Sequence, residues 1–69
     1  MKRKEGRREP MLNLKLMRIR RGHTLQSLAS AAGVNYNTIN AYENGLHAPR
    51  LENLETIAKV LECEVSELL

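Results

Sequence analysis

Residues that end helices and residues that begin them alternate at short intervals along this chain, and this spacing constrains the fold more than any other feature. Glycine stands at positions 22, 33 and 45, while Thr24 and Asn35, both good N-cap residues, follow the first two of these glycines closely. No segment sustains the alternation of apolar and polar residues that a half-buried strand shows. The sequence therefore predicts an all-α chain made of short helices.

Apolar residues recur at spacings of three and four between these boundaries, as expected for amphipathic helices. Five helices are predicted. In chain order they cover about residues 11–21, the segment TLQSLASA, the segment NYNTINAYEN, residues 51–61, and a last short turn or helix at SELL. Residues 1–10 have no apolar periodicity and end at Pro10, so they are predicted to form a flexible basic arm.

The length of 69 residues allows one domain with a small core. A single cysteine, Cys63, excludes a disulfide within the chain and makes a zinc cluster improbable. It is expected to be a small apolar core residue, and no metal or cofactor is expected. No apolar run reaches the length of about 20 residues that a membrane span needs, and the expected location is a reducing cytosol.

Charge is distributed unevenly along the chain. Residues 1–10 have a net charge of +3 and residues 11–50 a net charge of +4, with Glu43 as the single acid of the second range. Residues 51–69 have a net charge of −4. Such an asymmetry is typical of a domain with one surface facing a polyanion, although a solvated, highly charged small domain is an alternative.

The second and third predicted helices are joined by a turn of about three residues at Gly33, as in a helix-turn-helix unit. In such a unit the second helix places its N-terminal side chains against base edges in the major groove of DNA. The segment at 35–44 contains four asparagines, although asparagine is a mediocre helix former. These residues suit hydrogen bonding to bases, while Ile39 and Tyr42 suit anchoring to the core.

The segment TLQSLASAAGVNYNTINAYENGLHAPRLENLETIAKVLECEVSELL resembles the Cro and phage-repressor type of helix-turn-helix domain, the Xre family. The similarity covers about residues 11–69 and leaves only the arm outside. It implies a compact five-helix domain, like that of lambda repressor, which binds double-stranded operator DNA as a symmetric dimer. The implied function is a sequence-specific transcriptional regulator, with repression favoured but the sign of regulation left open by the sequence. The implied location is the cytoplasm, on the nucleoid, for a bacterial or phage-encoded protein.

The resemblance also implies roles for individual residues. Arg18 and Glu43 match a recurrent ion pair of the family. The positions expected to face bases are Asn35, Tyr36, Asn37, Asn40 and Ala41. The positions expected to lie near phosphates are Thr24, Gln26, Asn44, His47 and Arg50. The sequence departs from the family pattern at Leu25, where glutamine is common, at Arg50, where serine is common, and at Glu62, where glycine is common.

Two further function classes stay open at the level of sequence. A protein-interaction module, or an antitoxin-like co-regulator with weak DNA binding, would use a similar helical domain. RNA binding is less favoured because an aromatic stacking platform is missing. No enzyme is expected, since no histidine or acid is arranged to activate a nucleophile and no phosphate-binding glycine motif is present. No domain for a small-molecule effector is expected either.

The first helix has apolar residues on two sides. Leu14 and Met17 point one way, whereas Leu12, Leu16 and Ile19 point nearly opposite. The second group needs cover, either from a second copy of the chain or from the C-terminal residues Val65, Leu68 and Leu69. The sequence therefore predicts a homodimer that involves the first and last helices and reads a palindrome.

Overall fold

The computed structural model describes residues 9–69, so the arm predicted at 1–10 lies almost entirely outside the described residues. This part of the chain forms four α-helices, α1 (Leu12–Arg20), α2 (Leu25–Ala32), α3 (Tyr36–Glu43) and α4 (Leu51–Leu61). A single 3-10 turn follows at Val65–Glu67. The all-helical class is confirmed, but the predicted count of five helices is wrong, because the last element is one 3-10 turn of three residues.

Side-chain caps fix where α2 and α3 begin. The Thr24 hydroxyl accepts a hydrogen bond from the backbone N–H of Ser27 at 3.0 Å, and the Ser27 hydroxyl accepts one from the Thr24 N–H at 3.0 Å. Oδ1 of Asn35 accepts a hydrogen bond from the N–H of Asn37 at 2.7 Å. These bonds satisfy amide groups that have no partner within the helix.

The ends of α2 and α4 use the same left-handed conformation with different residues. Gly33 ends α2 with a φ of 68°, a conformation that glycine adopts without steric cost. Glu62 ends α4 with a φ of 56°, although it carries a side chain. Arg21, just after α1, stabilises this second end, since its Nε donates to the carbonyl of Leu61 at 2.8 Å.

Each of the four α-helices contributes buried residues to a single core, and Val65 of the 3-10 turn packs against it. α2 packs against both α3 and α4, and α1 packs against α3. The largest fully buried side chains are Leu14, Leu28, Ile39, Ile57, Leu61 and Leu68. Leu68 follows the 3-10 turn, so the C-terminal segment completes the core even though it forms no α-helix.

Cys63 is half-buried and packs against this core. Burial raises the pKa of its thiol, and the nearby Glu67 carboxylate raises it further, while Arg21 opposes them. The thiol is therefore protonated at neutral pH and less nucleophilic than an exposed one.

The longest described helix, α4, has 11 residues. No helix among residues 9–69 is both long enough and apolar enough to cross a membrane.

Candidate nucleic-acid interface

α2 and α3 form a compact pair joined by Gly33, Val34 and Asn35. The backbone N–H of Val34 donates to the carbonyl of Ala29 at 3.1 Å, which closes the C-terminal end of α2. Val34 also packs against the core, and Asn35 caps α3 directly after it. The chain thus passes from one helix to the next through a tight turn anchored by one apolar side chain.

The N-terminal part of α3 presents a continuous polar surface. Asn35, Tyr36 and Asn37 are exposed, and Asn40, one turn further on, is partly exposed. The opposite side of the helix is closed, with Ile39 fully buried and Tyr42 nearly so. Asparagine side chains can both donate and accept hydrogen bonds, so this surface can read polar groups on a ligand.

Ala41 differs from the sequence expectation that it faces bases. It is buried, with a relative exposure of 6%. The chain turns back after α3, and the N–H of Leu46 donates to the carbonyl of Ala41 at 2.8 Å. The returning chain therefore lies against this position, and the methyl group offers little surface to a ligand.

Asn40 and Asn44 are coupled to each other at the C-terminal end of α3. Nδ2 of Asn44 donates to the backbone carbonyl of Asn40 at 2.8 Å and to its Oδ1 at 3.1 Å. This pair of bonds orients both amides before any ligand arrives. Preorganised polar groups lose less conformational entropy on binding.

The remaining candidates fall into two depressions beside α3. The first, about 450 Å³ in volume, brings Thr24 and Gln26 from the start of α2 next to Tyr36 of α3. The hydroxyl of Thr24 is already occupied by its cap, whereas Gln26 is exposed. The N-terminal ends of both helices thus adjoin one concave surface.

The second depression, about 500 Å³ in volume, contains His47 and Arg50 from the loop between α3 and α4. It also contains Thr38 of α3, which sequence reasoning left out of the site. The sequence signal that could have identified Thr38 is its polar side chain at the third position of α3. Glu52 lies there as well, but its carboxylate is 4.0 Å from the Arg50 guanidinium and both side chains are largely exposed, so this ion pair is weak.

Tyr42 fixes two residues that line the second depression, Arg50 and Asn53. Its hydroxyl accepts hydrogen bonds from the backbone N–H of Arg50 at 3.1 Å and from Nδ2 of Asn53 at 2.9 Å. The start of α4 is therefore fixed to α3 by a side chain of α3 itself. These two bonds attach the first turn of α4 to α3, although the Arg50 side chain itself makes no cap hydrogen bond.

A buried ion pair sets the position of α3 relative to α1. Nε and Nη2 of Arg18 donate to Oε2 and Oε1 of Glu43 at 2.7 and 3.1 Å. Nη1 of Arg18 also donates to the carbonyl of His23, just before α2, at 2.9 Å. One guanidinium thus connects three elements and neutralises the single acid of α3, so that the helix presents no net negative charge.

These features define the class of the protein, since a short helix, a tight glycine turn and a polar second helix make up a helix-turn-helix unit. The helix-turn-helix family model matches residues 14–68, and the chain belongs to this family, in its Xre-type branch.

Among curated proteins, the chain is similar to the cryptic phage CTXphi transcriptional repressor RstR of Vibrio cholerae. The two are 36% identical over 53 residues, which cover 77% of this chain and 48% of RstR. The chain therefore spans about half the length of this relative.

Solved structures show the same fold. One is the structure of SinR, the master regulator for biofilm formation of Bacillus subtilis, in complex with DNA. Its TM-score is 0.79 at 32% identity, and the match covers 84% of this chain and 97% of the chain in that structure. The restriction-modification controller protein C.AhdI of Aeromonas hydrophila has a TM-score of 0.79 at 26% identity, over 84% of this chain and 88% of its own.

Proposed function

We propose that this protein is a sequence-specific regulator of transcription that inserts α3 into the major groove of double-stranded DNA. The exposed run Asn35, Tyr36 and Asn37 at the N-terminal end of α3 is the observation that carries this proposal. The membership in the helix-turn-helix family and the similarity to a DNA-bound structure of SinR support it. The similarity to the RstR repressor favours repression over activation, and DNA as the ligand favours the bacterial nucleoid as location.

Within this interface, Asn37 is proposed to read a base directly. Its side-chain amide is exposed, while its backbone N–H is already bonded to the Asn35 cap. A carboxamide pairs in two places with adenine, accepting from N6 and donating to N7. Asn35, Tyr36 and Asn40 supply the neighbouring contacts to bases.

Contacts to phosphates are proposed on both sides of α3. Gln26 and Thr24 face one strand from the first depression, and His47 and Arg50 face the other from the second. Asn44, exposed at the C-terminal end of α3, supplies a further contact. Thr38 joins this group because it lies in the second depression. Such contacts fix the orientation of the domain without reading sequence.

The test begins with selection of bound sequences from random duplex DNA, which supplies the operator. On that operator, Asn37→Ala is expected to weaken binding by about 1–3 kcal/mol and to relax the preference at one base pair. The control is Thr56→Ala, which removes a neutral polar side chain that is exposed on α4, outside the proposed interface, and bonded only within that helix. An equal loss on operator and random DNA would place Asn37 at the backbone instead, and no selected sequence at all would contradict the function.

We also propose that the protein acts as a homodimer on a palindromic operator. A single α3 offers few base contacts, whereas two such helices about 34 Å apart double the sequence that is read. Leu69, with a relative exposure of 68%, leaves apolar surface at the C-terminal segment for such a contact. Sedimentation at micromolar concentration is expected to show a dimer, and a clean 7.9 kDa species that binds a two-half-site operator without cooperativity would contradict it.

A further inference from the structure

One side of α1 carries an apolar stripe that the core does not use. Leu12, Leu16 and Ile19 have relative exposures of 59%, 47% and 54%. At about 100° per residue they fall within an arc of about 60°, opposite the buried side chains of Leu14 and Met17. These three residues are called the α1 stripe below.

No part of residues 9–69 covers the α1 stripe. The C-terminal segment reaches α1, since Nδ2 of Asn13 donates to the carbonyl of Leu69 at 3.1 Å, but the stripe stays exposed beside it. Leu68 points into the core instead, with a relative exposure of 0%. By sequence, residues 1–8 include Met1 as their only apolar side chain, too little to bury three.

The charges beside the α1 stripe indicate what can cover it. Lys15 and Arg20 lie about 70° to either side of its centre. α1 contains no acidic residue at all. Pairing of this stripe with the same stripe of a second copy across a two-fold axis would therefore place a basic flank against a basic flank, which is unfavourable. Charge complementarity selects an acidic partner.

We propose that the α1 stripe binds an amphipathic helix of another protein, with apolar residues on one face and Asp or Glu on both flanks of that face. The stripe rises by about 10.5 Å from Leu12 to Ile19, so it fits about two turns of such a helix. The interaction follows the helix-in-groove mode, with anchors spaced by three and four residues. A membrane is a poorer occupant, since even a single acyl chain, which buries more apolar surface, binds only marginally.

The probe is a synthetic peptide of about five helical turns with leucines on one face and glutamates on both flanks, and its control has lysine at every glutamate position. The full 69-residue chain, labelled with ¹⁵N, is titrated with each peptide. The acidic peptide is expected to shift amide signals of α1 and to bind at least about tenfold more tightly than the basic one. The double variant Lys15→Glu/Arg20→Glu is expected to reverse this preference.

Leu16→Ser is expected to weaken the acidic peptide about tenfold, because it removes the central apolar contact, and to leave the melting temperature and operator binding unchanged. This keeps the proposal separate from DNA recognition by α3. Equal binding of both peptides, or shifts centred on α3, would overturn it. A dimer that Leu16→Ser dissociates would also overturn the proposal and would assign the stripe to a second copy. The same holds if neither peptide binds and the chain binds phosphatidylglycerol vesicles but Leu16→Ser does not, which would assign the stripe to a lipid surface.

Discussion

At the residue scale, the Arg18 side chain connects three separate segments of the domain. Its guanidinium makes two bonds to Glu43 and one to the carbonyl of His23, and its side chain is 10% exposed. A buried pair of charges contributes little net stability, because desolvation offsets the attraction between them. Its main effect is to fix α3 in one orientation, since removing either partner leaves a charge buried alone.

This asymmetry gives a prediction at the residue scale. Arg18→Met is expected to lower the free energy of unfolding by about 3 kcal/mol, because Glu43 is left buried without a partner. Adding Glu43→Leu is expected to restore part of that loss, so the double variant is more stable than Arg18→Met alone. Urea melts of the two single variants and the double variant measure the coupling. Strict additivity of the two changes would show that the residues are not coupled.

Ala41 shows where residue-by-residue sequence reading reaches its limit. On a helical wheel it lies about 40° from Asn37, on the same face, so periodicity assigns both to one surface. The structure separates them, because Gly45 reverses the chain with a φ of 71° and the N–H of Leu46 returns to the Ala41 carbonyl. Local periodicity contains no information about such a return. Thr38, by contrast, enters the site because the loop from α4 reaches it.

At the scale of elements, the helices with side-chain caps were predictable in both position and boundary. Thr24 and Asn35 mark the starts of α2 and α3, and Gly33 marks the end of α2, because each residue performs a local function that its own chemistry specifies. The C-terminal segment was harder to predict. Apolar residues such as Val65 and Leu68 indicate contact with the core but not helix type, and a segment this short can form a 3-10 turn as readily as an α-helix.

The end of α4 carries the element-scale prediction. Glu62 adopts a left-handed conformation that costs a residue with a side chain about 1–2 kcal/mol. Glycine removes that cost, although it gains more freedom in the unfolded chain, so Glu62→Gly is expected to raise the free energy of unfolding by about 0.5–1 kcal/mol. Thermal and urea melts measure the change.

Glu62→Gln is the matched control for this prediction. It removes the negative charge near the carbonyl end of α4 but keeps the Cβ and therefore the strained conformation. A gain in stability for Glu62→Gln as large as that for Glu62→Gly would assign the effect to charge, and no gain in either variant would contradict the prediction.

At the scale of the whole molecule, charge is divided between a basic N-terminal part and an acidic C-terminal part. The candidate interface on α2 and α3 lies within residues 11–50, which have a net charge of +4, whereas α4 and the residues after it belong to the range with a net charge of −4. Binding to a polyanion is therefore favoured from the N-terminal part, and the acidic part opposes binding in other orientations.

Residues 2–9 extend this basic part in sequence with five Lys or Arg residues. Deleting them is expected to make the negative slope of log affinity against log salt less steep by up to about 4.5, since each neutralised phosphate releases about 0.9 of a counterion. The preference between operator and random DNA is expected to change little. Binding titrations between low and moderate salt measure both quantities. An unchanged slope would leave the arm without a role on DNA.

The burial of Leu68 has a consequence for how the protein is made. The ribosome adds Glu43, the last residue of α3, 25 residues before it adds Leu68, whose side chain is fully buried in the core. At typical rates of synthesis this interval lasts about one to five seconds. During that time the nascent chain already contains all of α3 but lacks a side chain that closes the core beneath it. The core of this domain therefore closes only after its C-terminal segment has been made, and a chain stalled in between lacks the Leu68 side chain that fills it.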